Sequence, residues 1–194
     1  MISMIPDFKT YINESIWSDI QDRSMGKTVR KEDIITTNED LRNKIYELYK
    51  EQGEGETLDV SSLTNCIQCD DFSDIFSGFD KVKHIIGIEN WDVSGVGDMV
   101  DMFKFCSNFN CDLSKWDVSS VKNMSGMFYD CENFNSDLSK WNVSEVTDMK
   151  YMFSYCYNFN SDLSKWNVSE VTDMKYMFHD CKSLKTIPFW YKNK

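Results

Sequence analysis

Histidine and proline are scarce, with two of each in 194 residues. His84 and His179 have no matching nucleophile or partner in the sequence, so histidine-based catalysis is not expected and the chain is read as a non-enzyme. No apolar run approaches the roughly 18 residues of a membrane-spanning helix, so direct membrane insertion is not expected. The opening stretch MISMIPDFKTYINESIW has neither the basic leader nor the apolar core of a secretory signal. No cysteine near it offers a lipid-attachment site. These absences lead to the expectation of a cytoplasmic or virion-associated protein. Arginine is absent after Arg42, and the net charge of −11 argues against nucleic acid or an anionic membrane surface as partner.

What is present is apolar enough to fold, at 41% hydrophobic and 27% charged residues. It is also periodic. Trp91, Trp116, Trp141 and Trp166 recur every 25 residues, as do Cys106, Cys131, Cys156 and Cys181. Met102-Phe103, Met127-Phe128, Met152-Phe153 and Met177-Phe178 keep the same register. Residues 133–153 and 158–178 are identical over 21 positions, more than inward packing alone would fix. Units start near residues 58, 91, 116, 141 and 166. The first is degenerate, with Leu58-Asp59-Val60-Ser61 in place of Trp-Asp-Val-Ser. The last departs at Leu184-Lys185-Thr186-Ile187-Pro188, as terminal repeats do where they meet water or a cap.

Two periods are visible inside a unit. Alternation over residues 133–138 predicts a short strand with Phe134, Ser136 and Leu138 inward. Val146, Met149, Met152, Phe153 and Cys156, spaced by three and four, predict a helical turn with one buried face. The expected fold is therefore α/β: a short solenoid of about five strand-turn-helix units over residues 58–194, stacked as a parallel ladder. The Trp and Cys columns named above would form its core. Asn110, Asn135 and Asn160 would form a side-chain ladder serving turn backbone groups.

The unit Trp-Asp-Val-Ser…Met-Phe…Cys…Phe-Asn…Asp-Leu-Ser resembles the 25-residue repeat of BspA-like leucine-rich-repeat surface proteins of bacteria. The resemblance covers about residues 58–190. It implies a leucine-rich-repeat-like solenoid that binds proteins or surfaces without catalysis, and a place at the cell surface.

Residues 1–57 do not repeat. Phe8, Ile12, Ile16 and Ile20 predict an amphipathic helix over 7–22, and residues 23–33 a polar loop. A capping-box pattern at Thr36-Thr37-Asn38-Glu39 precedes Leu41, Ile45 and Leu48 on one helical face. This segment reads as a helical cap on the open first turn, or as a docking device.

Chemical motifs are few. Cys66 and Cys69 have the spacing of half a zinc knuckle, but no second pair or nearby histidine completes it. Gly26-Lys27-Thr28 lacks the upstream glycine and strand of a phosphate loop. Asp98, Asn123, Asp148 and Asp173 share one register, where capping a turn explains them better than calcium. Asn13, Asn123, Asn142 and Asn167 sit in glycosylation-type triplets, which matter only on export. No cofactor and no metal is expected. Candidate partner-binding residues lie on two faces: Phe105, Tyr129, Tyr151, Tyr155, Tyr157 and Tyr176 on one, and the polar, acidic strip Asn110, Asp112, Asn135, Asp137, Asn160 and Asp162 on the other. The expected function is a protein-interaction module with a protein partner, a basic one given the acidic repeats. The alternative is a structural component of a cell-envelope or phage virion assembly, docked through the N-terminal helices. The sequence leaves the oligomeric state open.

Overall fold

The computed structural model describes residues 34–63 and 67–193. The helix expected over 7–22, the loop 23–33, Gly26-Lys27-Thr28 and Cys66 lie outside the described residues. Residues 35–194 form one compact unit.

The only α-helix among the described residues is α1, Asn38–Glu51. Thr37 starts it from an extended conformation, its side chain accepting from the Asp40 N–H at 3.1 Å. Glu39 and Asp40 sit in the first turn and Lys50 in the last, each matched to the helix dipole. Leu41 and Ile45, one turn apart, are fully buried in the same core as the repeats. Gln52 closes the helix onto Leu48 and Lys50 carbonyls, and Gly53 follows at φ 88°. Strands β1, Thr57–Asp59, and β2, His84–Ile86, then pair in parallel, Leu58 opposite Ile85.

Both strands and the helix precede the regular repeats, and this overturns the expected solenoid of five strand-turn-helix units. Residues 133–138 form no strand, although Phe134, Ser136 and Leu138 are buried as the alternation required. Residues 146–156 form no helix. They run as consecutive turns, closed by bonds such as Met152 N–H to Met149 O (3.2 Å) and Cys156 N–H to Phe153 O (3.0 Å). The cause is left-handed backbone at two positions in each unit, four residues apart. Asp101, Phe105, Gly126, Asp130, Tyr151, Tyr155, Tyr176 and Asp180 all have φ between 53° and 63°. A left-handed residue breaks a right-handed helix wherever it falls. The alternation also turns the N–H groups of alternate residues outward together, toward the next repeat.

That next repeat supplies the acceptors. Met99, Asp101, Phe103 and Phe105 donate to Asn123, Ser125, Met127 and Tyr129 at 2.8–3.0 Å. Met124, Gly126, Phe128 and Asp130 donate in turn to Asp148, Lys150, Met152 and Ser154, and Met149, Tyr151, Phe153 and Tyr155 to Asp173, Lys175, Met177 and His179. On another side of each coil the direction reverses, Lys122 donating to Gly97, Thr147 to Lys122 and Thr172 to Thr147, each at 2.8 Å. Isolated parallel bridges mark the column Asp71, Asp98, Asn123, Asp148 and Asp173. The backbone is thus satisfied between coils rather than within them.

The core is columnar. Phe76, Phe103, Phe128, Phe153 and Phe178 stack ring on ring at 5.4–5.8 Å. Phe109, Phe134 and Phe159 form a second column, each ring 4.0–4.2 Å from its neighbour in the first. At roughly 1.5–3 kcal/mol for each fully buried large side chain, these columns are the main stabilising element of the repeats. The indole Nε1–H of Trp116, Trp141, Trp166 and Trp190 reaches back to the carbonyls of Ile88, Leu113, Leu138 and Leu163 at 2.9–3.1 Å. Trp91 follows the degenerate unit and its Nε1 has no such acceptor among the described residues.

Candidate functional site

The cysteine column is structural. Each Sγ–H of Cys106, Cys131, Cys156 and Cys181 donates to the carbonyl of Phe76, Phe103, Phe128 and Phe153 at 2.9–3.0 Å. Burial pushes the Cys106 and Cys181 thiols up to about 12, and those of Cys131 and Cys156 well above the ordinary thiol value. A thiol held neutral in this way is neither a nucleophile nor a metal ligand. Cys69 is likewise free and raised to about 11 by burial. Among the described residues no cluster of three or more His, Cys, Asp or Glu side chains is arranged to hold a metal ion. No described helix is long and apolar enough to cross a membrane.

The acidic strip serves turns. The side-chain oxygen of Asn110 accepts from Asn135 N–H, that of Asn135 from Asn160 N–H, and that of Asn160 from Lys185 N–H, at 2.8–2.9 Å. Asp112, Asp137 and Asp162 accept from Ser114, Ser139 and Ser164 N–H at 2.9 Å, and hydrogen bonds from these serines hold their carboxyls below the usual range. Asp98, Asp148 and Asp173 cap their own turns in the same way, through Val100, Lys150 and Lys175 N–H.

The other face is different. Five of its six candidates, Phe105, Tyr129, Tyr151, Tyr155 and Tyr176, line one open cleft of about 720 Å³. The left-handed turns put them there. Tyr151 and Tyr176 occupy the column of Asp101 and Gly126, and Tyr155 that of Phe105, all at positive φ. A tyrosine in this conformation costs about 1–2 kcal/mol relative to glycine, so stacking sets its backbone against its own preference. The rings close a circuit: Tyr129 on Tyr151 (6.1 Å), Tyr151 on Tyr176 (5.2 Å), Tyr176 on His179 (6.0 Å), His179 on Tyr155 (5.2 Å), and Tyr155 on Tyr129 (5.5 Å). Phe105 extends it edge-on from Tyr129 at 5.6 Å. The remaining candidate, Tyr157, lies outside the cleft, under Lys182 Nζ at 4.0 Å from its ring centroid.

Ser154 sits in the column of Lys104, Tyr129 and His179 and lines the same cleft. It is fully buried, and its hydroxyl has no hydrogen-bond partner among the described residues. Lys104 is paired with Asp101 at 2.7 Å at one end of the cleft, where Gly126 leaves room that a Cβ would take from the Asp101 carboxylate. Lys150 lies over the Tyr151 ring at 5.2 Å. Sequence reasoning singled out the tyrosines but not Ser154 or the two lysines, and it found no partner for His179, which is exposed and packs against Tyr155 and Tyr176. The signal for Ser154 was present, as the one small residue in a column otherwise filled by long or aromatic side chains.

The coils define a class: a tandem-repeat protein whose units are turn-built and joined by backbone hydrogen bonds between successive repeats. Within that class the chain belongs to the family described as Mycoplasma protein of unknown function, DUF285, which residues 70–190 match. No curated protein and no solved structure matches it.

Proposed function

We propose that the chain is a non-enzymatic protein-interaction module that holds a protein partner against the aromatic cleft. The observation that carries this reading is the closed circuit of Tyr129, Tyr151, Tyr176, His179 and Tyr155 with Phe105 beside it, solvent-accessible at Phe105 (45% exposed) and Tyr176 (55%). Clustered, pre-positioned aromatic side chains supply large contact area at small entropic cost, as interface anchors do. The likeness of the repeat to BspA-like units, whose role is binding proteins or surfaces, supports the same reading. The columns that form the cleft differ between coils while the core columns do not, so partner choice is adjustable without disturbing packing.

The test compares affinity capture from host lysate by the full chain, by Tyr151→Ser/Tyr176→Ser, and by Asp137→Asn as a control on the opposite face. The captured protein is expected with the parent and the control, and lost with the tyrosine variant. Capture unchanged by the tyrosine variant, with its fold intact by circular dichroism, overturns the proposal.

A further inference from the structure

Every coil but the last has its outward row of N–H groups covered by the carbonyls of the following coil. The last row is Met174, Tyr176, Phe178 and Asp180. It repeats the covered row Met149, Tyr151, Phe153 and Tyr155 in register, with the first three residues identical, and Tyr176 and Asp180 carry the same left-handed φ. Among the described residues no backbone carbonyl accepts from any of the four. The Tyr191 phenol oxygen faces the backbone N–H groups of Met177 and Phe178, which leaves Met174, Tyr176 and Asp180 as the open donors of the edge. The edge is also unusual in polarity: it offers donors without interleaved acceptors, because the matching carbonyls point back into the stack.

The charge around it is reversed relative to the rest of the molecule. Among the described side chains of residues 174–191 there are three lysines, Lys175, Lys182 and Lys185, against the single acid Asp180, in a chain of net charge −11. The opposite end of the stack is partly covered. There the carbonyls of Asp71 and Ser73, counterparts of those that cover each row, accept from the Asn38 side-chain amide at 3.2 and 2.8 Å beside α1. A second copy therefore cannot offer the full four-carbonyl row at its own first coil, since half of it is already taken by Asn38.

We propose that the edge at Met174–Asp180 binds an acidic polypeptide segment of another protein, which adds its backbone carbonyls to the N–H row and sets its carboxylates against the surrounding lysines. The bonding repeats what each internal junction already displays, and it follows the logic of strand addition to an open sheet edge. The edge shares Tyr176 and His179 with the aromatic cleft, but it uses backbone N–H groups where the cleft uses side-chain rings.

The experiment titrates the ¹⁵N-labelled full chain with terminally blocked deca-glutamate at low salt and reads amide shifts and hydrogen exchange. Exchange at Met174, Tyr176 and Asp180 is expected to slow by about tenfold or more, with Met149 and Tyr151 unchanged. Lys175→Glu/Lys182→Glu/Lys185→Glu is expected to weaken binding by about tenfold or more, with interior protection intact. No binding, perturbation confined to the amides of Phe105, Tyr129, Tyr151 and Tyr155, equal binding of deca-lysine at the edge, or undiminished binding by the triple variant each overturns the proposal. Concentration-dependent slowing without peptide identifies a second copy as the occupant and overturns it as well.

Discussion

Between Ile35 and Asn90 the chain uses a capped α-helix and a pair of parallel strands, while between Trp91 and Pro188 it uses neither, yet both stretches feed one continuous buried core. In the first region many backbone groups find partners by the ordinary local rules, four residues back in α1 or across the β1–β2 pair. The row Phe72, Asp74, Phe76 and Gly78 already donates to the next coil. In the second, an N–H at Met124 finds its acceptor at Asp148 and one at Lys122 finds it at Gly97. Regular secondary structure is thus one solution to backbone satisfaction, and in-register stacking of near-identical coils is another. The second solution frees two residues in each unit to adopt left-handed backbone, and those positions help to build the cleft.

Alkaline pH should separate the two regions most. The repeat thiols have pKa values raised by burial, so they favour the neutral form in the folded state. Their stabilisation is complete below the ordinary thiol value near 9 and is lost as pH climbs through about 12. Urea unfolding between pH 8 and pH 11 should show stability falling steeply above pH 9, less steeply in Cys156→Ala. Equal slopes for the two proteins would break the assignment.

Phe128→Ala removes a ring that touches Phe103, Phe134 and Phe153, and it should cost about 3–5 kcal/mol in equilibrium unfolding. A loss under 1 kcal/mol would mean that the columns are not cooperative. The matching probe in the first region is Gly87→Ala. Gly87 follows β2 at φ 92°, and a Cβ there would lie 2.6 Å from the Ser61 Cα. Left-handed strain and the clash together should cost about 2–4 kcal/mol, checked by the same measurement. Ser154→Ala should have the smallest effect and the opposite sign. It removes a buried hydroxyl without a partner, raising stability by about 1 kcal/mol; a measured loss would show that the hydroxyl is paired in solution.

The inward set was legible in residue spacing: Val146, Met149, Met152, Phe153 and Cys156 are all buried, as helical periodicity demanded, although no helix forms. Spacings of three and four suit a run of i→i+3 turns as well as they suit a helix, so periodicity alone could not choose between them. The start of α1 was legible for a different reason. Thr37 and the apolar face at Leu41 and Ile45 act within the segment itself. The aromatic cleft was half legible, because the tyrosines stood out by type while Ser154 and His179 acquire meaning only from the rings that surround them.

By itself the sequence determined the 25-residue register, the residues that turn inward and the cap of α1, since each rests on composition or on contacts within a few residues. Tertiary structure decided the backbone of the repeats, the gathering of Tyr129, Tyr151, Tyr155 and Tyr176 into one cleft, and the donor edge at Met174–Asp180. In the repeats the partner of each outward N–H lies about a full unit away in the chain, and local propensity carries no information about a bond that only stacking can form.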